Sequence, residues 1–505
     1  MEIYMIKTKM SYSTEKQLGG NFFSDKQKDE ITLYIPKNSK ESVQITILSD
    51  ADIKDVALDV VTPDGITAEV FAEKNIDAKG KLFPDPLLPL EGSFDLERDN
   101  ALTLLIRLGA KTDCPTGEKT VLATMKDKEG NLLHTYEVKV VVLNFVLSCD
   151  PAFETYIPVY KACIAKHHGF GDVSSLTPER AEELDNLYKS YYDLMLSYGV
   201  SGGELPYDIL DPRADAYMSD PRVTSFSVNY LVPDETLLAY YNKLKSNPVW
   251  FNKSFVYIFD EPTTVEHMNE LKERCDKVKA LCPDFSYMTA FYSDRNYDNE
   301  RDMIQFLMDN LQLIVPKLPC YNESFIYTDE QKAKWPSFAE RMEKYKADGN
   351  KVWTYVCWEP GKPYANLFVD EEGLDHRILF WQQYACGSQG FLYWACNYWN
   401  DVDDPWSNMS TVPWLDKNIL GDGSLLYNGN KVGINSACPS LRLELIRAGL
   451  EDIKLLTLAS SILGREIVSG IVSKVTVSTT EYTESSDVFF NARKELCLAV
   501  EEALN

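Results

Sequence analysis

The hydrophobic pattern of this chain changes period near residue 150, and that change limits its fold more than any other feature. Before it, short runs alternate apolar and polar residues: Ile31 to Ile35, Ser42 to Leu48, Leu102 to Leu108, Lys119 to Met125 and Thr135 to Leu147. Turn signals such as Pro63-Asp64-Gly65 and Lys128-Glu129-Gly130 separate them. A period of two sends successive side chains to opposite faces, so this half predicts a β-sandwich. After residue 150, apolar runs alternate with helical patterns. The expected strands are Thr155 to Val159, Gly199 to Leu205, Ser225 to Leu231, Phe255 to Phe259, Phe285 to Phe291, Leu311 to Val315, Val352 to Cys357 and Phe391 to Ala395. Between them lie amphipathic stretches such as Pro178 to Tyr198, Glu235 to Lys245, Val265 to Leu281, Asp329 to Ala347 and Glu371 to Cys386. Eight strands alternating with helices predict parallel βα units that close a barrel. A long helix, Ser440 to Leu463, and a partly helical tail follow. The expected class is therefore α/β: an all-β sandwich over residues 1–148, a (β/α)8 TIM-type barrel over 149–436 and a C-terminal helical segment over 437–505.

Composition narrows the partners. With 51 Lys and Arg against 77 Asp and Glu, the chain carries a formal charge of −26 and repels nucleic-acid phosphates and anionic lipid heads. No apolar run reaches the roughly 18 residues of a membrane span. Met1 to Gly20 holds Lys7, Lys9 and Glu15 without an apolar core, so it does not read as a signal peptide. The 11 cysteines are scattered without a CxxC pair, which points to a reducing compartment and away from a zinc site. The expectation is a cytoplasmic protein, or a secreted one if a leader is trimmed. His167 and His168 are adjacent, and adjacent ligands rarely share one ion, so neither a metal nor a cofactor is expected.

In a barrel of this kind, chemistry sits at the C-terminal ends of the strands. The fourth run, Phe255 to Phe259, ends in Asp260-Glu261-Pro262. Two adjacent carboxylates after a buried strand raise one another's proton affinity, and a raised carboxyl pKa is what a general acid needs. The same triplet equally fits a helix N-terminus, where Asp, Glu and Pro are favoured without any chemistry. Other strand ends carry Tyr292-Ser293-Asp294, then Tyr321, Asn322 and Glu323, then Trp358-Glu359-Pro360. The last carries Trp394 followed by Asn397, Tyr398, Trp399 and Asn400. Eight of the nine tryptophans lie between Trp335 and Trp414. A lone Trp is usually core, but aromatic rings at successive strand ends beside paired carboxylates suit the apolar C–H faces and the hydroxyls of sugars. Arg442 and Glu444 read as an ion pair that holds the barrel end together.

Taken in order, several stretches resemble glycoside hydrolase family 123, the β-N-acetylgalactosaminidases. They are Phe83-Pro-Asp-Pro-Leu-Leu-Pro89, Leu143-Asn-Phe-Val-Leu147, Tyr257-Ile-Phe-Asp-Glu-Pro262, Gly390-Phe-Leu-Tyr-Trp394 with Asn397-Tyr-Trp399, and Gly421-Asp-Gly-Ser-Leu-Leu-Tyr427. The helix Ser440-Leu-Arg-Leu-Glu-Leu-Ile-Arg-Ala-Gly-Leu-Glu-Asp452 completes the set. The resemblance runs from about Phe83 to Leu463. It implies substrate-assisted retaining hydrolysis, in which the 2-acetamido oxygen of the sugar is the nucleophile, an exception to the usual two-carboxylate scheme. It further implies that Asp260 orients and polarises the acetamido group and that Glu261 is the general acid/base. Cleft-lining candidates that bind substrate are Tyr292, Tyr321, Trp358, Glu359, Trp394, Asn397, Trp399 and Asp422. The implied partner is an oligosaccharide or glycoconjugate with a terminal β-linked N-acetylhexosamine. Two other readings stand beside it. One is a retaining β-glycosidase with Glu261 as acid/base and Glu359 as nucleophile, which requires carboxyls about 5–5.5 Å apart. The other is a carbohydrate-binding barrel without activity.

Overall fold

Alternation in the first half produces two five-stranded sheets that share one apolar core. In the computed structural model, which describes residues 5–16, 28–78, 80–293, 301–410, 412 and 419–505, one sheet is ordered Ile6–Tyr12, Ser39–Ser49, Leu102–Ala110, Ile66–Ala78 and Lys81–Pro89. The other is ordered Ile31–Lys37, Leu132–Val146, Gly117–Lys126, Ile53–Val61 and Ser93–Leu96. Every second residue points inward: Val43, Ile45 and Ile47 meet Leu104, Ile106 and Leu108 from one sheet, and Val121, Ala123, Val138, Val140 and Val142 from the other. All strand pairings here are antiparallel except that of Leu132–Val146 with Ile31–Lys37. The strand Lys81–Pro89 escapes sequence reading because it holds Pro84, Pro86 and Pro89; prolines are tolerated there because the strand lies at a sheet edge.

The second half is mixed α/β, and its parallel strands differ from the expected closed ring. They form a five-stranded sheet, ordered Phe226–Ser227, Ser254–Asp260, Tyr287–Phe291, Leu313–Pro316 and Lys351–Val352, and a three-stranded sheet, ordered Glu154–Tyr156, Gly390–Tyr393 and Thr354–Val356. Residues 199–205, read from the sequence as the second strand, do not form one. Gly199 and Gly203 have φ of 79° and 86°, which breaks a ladder. The segment instead offers the Ser201 and Gly202 carbonyls to the Ile157 and Val159 amides, each at 3.0 Å. The sheets meet on one side through a parallel bridge between Lys317 and Tyr355. On the other side hydroxyls replace the ladder: the Thr155 amide donates to Thr224 Oγ1 at 2.9 Å, and Ser225 Oγ donates to the Thr155 carbonyl at 2.8 Å.

Helices Gly373–Ala385, Leu441–Leu463 and Ser486–Leu504 pack together beneath the first half. The seam is charged and buried. Arg377 bridges Glu41 at 2.8 Å and Asp452 at 2.7 Å, and Arg493 joins Asp452 at 2.8 Å. Arg442 and Glu444 do not pair with each other, contrary to the expectation from sequence. Residues two apart on a helix face different directions. Arg442 reaches Asp85 at 2.9 Å, while Glu444 binds Arg447 and Arg107. Of the 11 cysteines, nine are buried, consistent with thiols used as small hydrophobes. Among the described residues, no helix is long and apolar enough to cross a membrane.

Asp85 and Arg442 are both fully buried, so removing one strands the other. Asp85→Leu and Arg442→Met should each lower the unfolding free energy by about 3–5 kcal/mol in urea, whereas the double variant should lose clearly less than the two single losses added together. A loss in the double variant equal to the sum of the two single losses would show that the pair is not coupled.

Candidate active site

The C-terminal ends of the parallel strands open onto a cavity of about 370 Å³. Asp260, Glu261, Tyr355, Trp358, Trp394 and Tyr160 form much of its wall. It shares Tyr156, Pro158 and Tyr160 with a second cavity of about 530 Å³, walled further by Glu204, Tyr207, Asp208, Asn229 and Tyr240.

The acidic pair sits where the sequence pattern put it, at the end of Ser254–Asp260. It is not the start of a helix. The next helix, Val265–Leu281, is capped by Thr264, whose hydroxyl accepts from the His267 amide at 3.2 Å. Near its end the strand shifts register against Tyr287–Phe291, between Tyr257 and Phe259. Such irregularities re-aim side chains beside active sites. Glu261 then adopts φ of 43°, a conformation that costs a residue with a Cβ about 1–3 kcal/mol. The Glu261 amide is anchored on the Ala290 carbonyl at 3.1 Å.

The two carboxylates have different surroundings. Asp260 is exposed and accepts a hydrogen bond from the Tyr257 hydroxyl at 2.6 Å. Glu261 is half-buried, and its Oε1 accepts from the Tyr355 hydroxyl. Burial raises the Glu261 pKa above the ordinary carboxyl range, and the charges of Asp260 and Glu359 add to the rise. The Tyr355 hydrogen bond and the Lys317 ammonium oppose it without cancelling it. One carboxyl is thus exposed, while burial raises the pKa of the other, as suits a general acid.

Other predicted residues divide into wall, support and core. Trp358 and Trp394 line the cavity. Asp422 is fully buried behind Trp394; it accepts from Trp394 Nε1 and from the Tyr393 hydroxyl, both at 2.9 Å. Its pKa is pushed up to about 6 by burial. Asn397 is also buried and grips the backbone of Tyr160, accepting from its amide at 2.7 Å and donating to its carbonyl at 3.1 Å. Both therefore support the wall and do not face the cavity. Trp399 is core: its Nε1 donates to Ser424 at 3.0 Å and its ring meets His167 and Tyr191 edge-on. Tyr321 packs its ring against Phe338 away from the cavity. Tyr292 rests beside the Lys317 ammonium at 4.9 Å, and Glu359 lies near enough for its charge to act on Glu261. Asp294 and Trp414 lie outside the described residues. Tyr355 and Lys317 were not singled out from sequence. Lys317 had a signal, a lone cation in the apolar run Leu313-Ile-Val-Pro-Lys-Leu318, whereas Tyr355 had none. Among the described residues, no group of three His, Cys, Asp or Glu is placed to hold a metal.

Residues 211–459 match the family model for the catalytic domain of glycoside hydrolase 123. A family 123 glycoside hydrolase from Clostridium perfringens, solved to detail glycolipid glycan hydrolysis, aligns over 99% of this chain and 98% of its own with a TM-score of 0.65 at 14% identity, a likeness of fold. The Ignisphaera aggregans GH53 catalytic domain aligns over 61% of this chain and 99% of its own, with a TM-score of 0.28 at 13% identity. No curated protein matches the chain.

The raised Glu261 pKa carries a stability consequence. A folded state that holds this proton more tightly than the unfolded state gains stability below the ordinary carboxyl value of 4.5. It loses that stability as pH rises from 4.5 toward the raised value. Glu261→Gln cannot ionise, so its stability relative to wild type should be greater at about pH 7.5 than at about pH 4 in urea unfolding. A difference independent of pH would contradict the raised pKa.

Proposed function

Because residues 211–459 match the catalytic domain of a glycoside hydrolase family, we propose that this chain is a retaining β-N-acetylhexosaminidase acting on terminal β-linked N-acetylgalactosamine. The observation that carries the reading is the adjacent pair itself: an exposed Asp260 and a half-buried Glu261 with a raised pKa at one strand end, in a cavity walled by Trp358 and Trp394. The sugar's 2-acetamido oxygen attacks the anomeric carbon as the glycosidic C–O bond breaks, and Glu261 passes its proton to the departing oxygen. Asp260 accepts the acetamido N–H and stabilises the positive charge of the oxazolinium ring. Glu261, now a carboxylate, takes a proton from water. That water attacks the anomeric carbon and restores the acetamido group with net retention. The second cavity, beyond Tyr160, gives room for the remainder of the glycan. In this reading the two parallel sheets are arcs of one (β/α)8-type barrel over 149–436, between a β-sandwich over 1–148 and a helical segment over 437–505. The Lys317–Tyr355 bridge and the Thr155–Thr224 hydroxyl contacts support it.

The test is a panel of aryl β-glycosides. Sugars lacking the 2-acetamido group should be cleaved negligibly, and a thiazoline mimic of the oxazolinium should bind about 10²-fold or more tighter than substrate. Asp260→Asn should slow turnover even with activated leaving groups. Glu261→Gln should lose about 10²–10⁴-fold with poor leaving groups and far less with good ones. A covalent glycosyl adduct on Glu359 with a 2-fluoro glycoside would replace this reading with the two-carboxylate one. Binding of N-acetylgalactosamine with no turnover of any glycoside would leave a carbohydrate-binding protein.

A further inference from the structure

Lys317 follows the strand Leu313–Pro316 and is 2% exposed. Its ammonium lies among three rings, 4.9 Å from the centroid of Tyr292, 5.5 Å from Trp358 and 5.6 Å from Tyr355. Taking an ammonium out of water is costly, and a methionine or leucine would fill the same apolar surroundings without that cost. A cation kept there points to a task. Tyr355 connects it to the acidic pair, because its ring lies against Lys317 while its hydroxyl donates to Glu261 Oε1. The backbone strengthens the link: Lys317 and Tyr355 are bridge partners between the two parallel sheets, and the Lys317 amide donates to the Phe291 carbonyl at 2.8 Å.

We propose that Lys317 is a positioning residue for the general acid, holding Tyr355 on Glu261 and balancing the charge that Glu261 acquires when its proton leaves. The proposal rests on the reading of Glu261 as the acid. When that proton departs, a carboxylate remains beside Asp260 and Glu359, both negative, with the Tyr257 and Tyr355 hydroxyls as neutral neighbours. Lys317 is a positive charge that acts on Glu261 from the end of a strand two away in the same sheet, and it reaches Asp422 and Cys357 as well. Without it, Glu261 keeps its proton to higher pH.

The experiment follows the Glu261 carboxyl directly, by infrared difference titration of the protein against Glu261→Gln in the same background. In Lys317→Met the carboxyl signal should titrate about one pH unit higher than in wild type, as expected for loss of a nearby opposite charge, and Lys317→Arg should restore it. The basic limb of kcat/KM on an aryl β-N-acetylgalactosaminide should move up by the same amount. A merely structural lysine would lower kcat and leave that limb in place. Lys317→Gln, neutral and polar, takes the place of Lys317→Met if the latter does not fold. An unmoved carboxyl titration in a folded neutral variant overturns the proposal. A shifted titration in a protein that hydrolyses no glycoside supports Lys317's control of Glu261 while overturning the enzymatic reading.

Discussion

The guanidinium of Arg442 is the point on which the two halves of the molecule and the cavity wall all depend. Its five N–H groups have five acceptors to meet deep in the protein, and they do. Nε and Nη2 bind Asp85 on the first half at 3.0 and 2.9 Å, Nη1 binds the carbonyls of Leu367 and Gly421 at 2.9 and 2.8 Å, and Nη2 also binds the Ser424 carbonyl. Two of those carbonyls flank Asp422, so the loop that presents Asp422 to Trp394 is tied to an ion pair between helix Leu441–Leu463 and strand Lys81–Pro89. Gly421 is required there: it has φ of 76°, and a Cβ on it would lie 2.9 Å from Arg442 Nη1. An apolar seam would serve stability as well or better, because buried charges repay their desolvation only with fully satisfied partners. What the charged seam adds is direction, since a planar fork accepts one register of two halves and rejects the rest.

From that frame the chemistry is arranged by small local departures. A register shift and a left-handed residue at the end of Ser254–Asp260 turn two neighbouring carboxylates into unlike surroundings. Behind them, Asp422 and Asn397 spend their hydrogen bonds on a tryptophan ring and on a backbone, so the aromatic walls are fixed by buried polar groups. Rigid support of this kind is what precise placement of reacting groups demands.

Much of this was legible in the sequence, and the limits are instructive. Period-two alternation located Ser39–Ser49, Leu102–Ala110 and Leu132–Val146, and apolar runs located the strand that ends in the acidic pair. Periodicity reports burial and says little of partners. Trp399 and Trp394 are five residues apart and look alike as sequence, yet one is core and one lines the cavity, a difference decided by Ser424 and Asp422 some 25 and 28 positions later. Tyr355 was invisible because a tyrosine in an apolar strand reads as packing. Arg442 and Glu444 were paired with each other because Asp85 and Arg107, which they bind, lie more than 300 residues away in the chain. Residues 199–205 looked apolar enough for a strand, but the backbone freedom of their glycines won.

The grip of Asn397 on Tyr160 has a geometric outcome for whatever occupies the two cavities. Tyr160 stands between them, held by both its amide and its carbonyl, with its ring set edge-on against Tyr398 at 5.4 Å. The clamp fixes where the side chain is rooted, and the Tyr160 hydroxyl donates to the Trp394 carbonyl at 3.4 Å. The threshold between the cavities is therefore a sill with a fixed base. A linear molecule reaching from one chamber to the other must bend over it, so the shape of such a molecule becomes a property that the protein can feel.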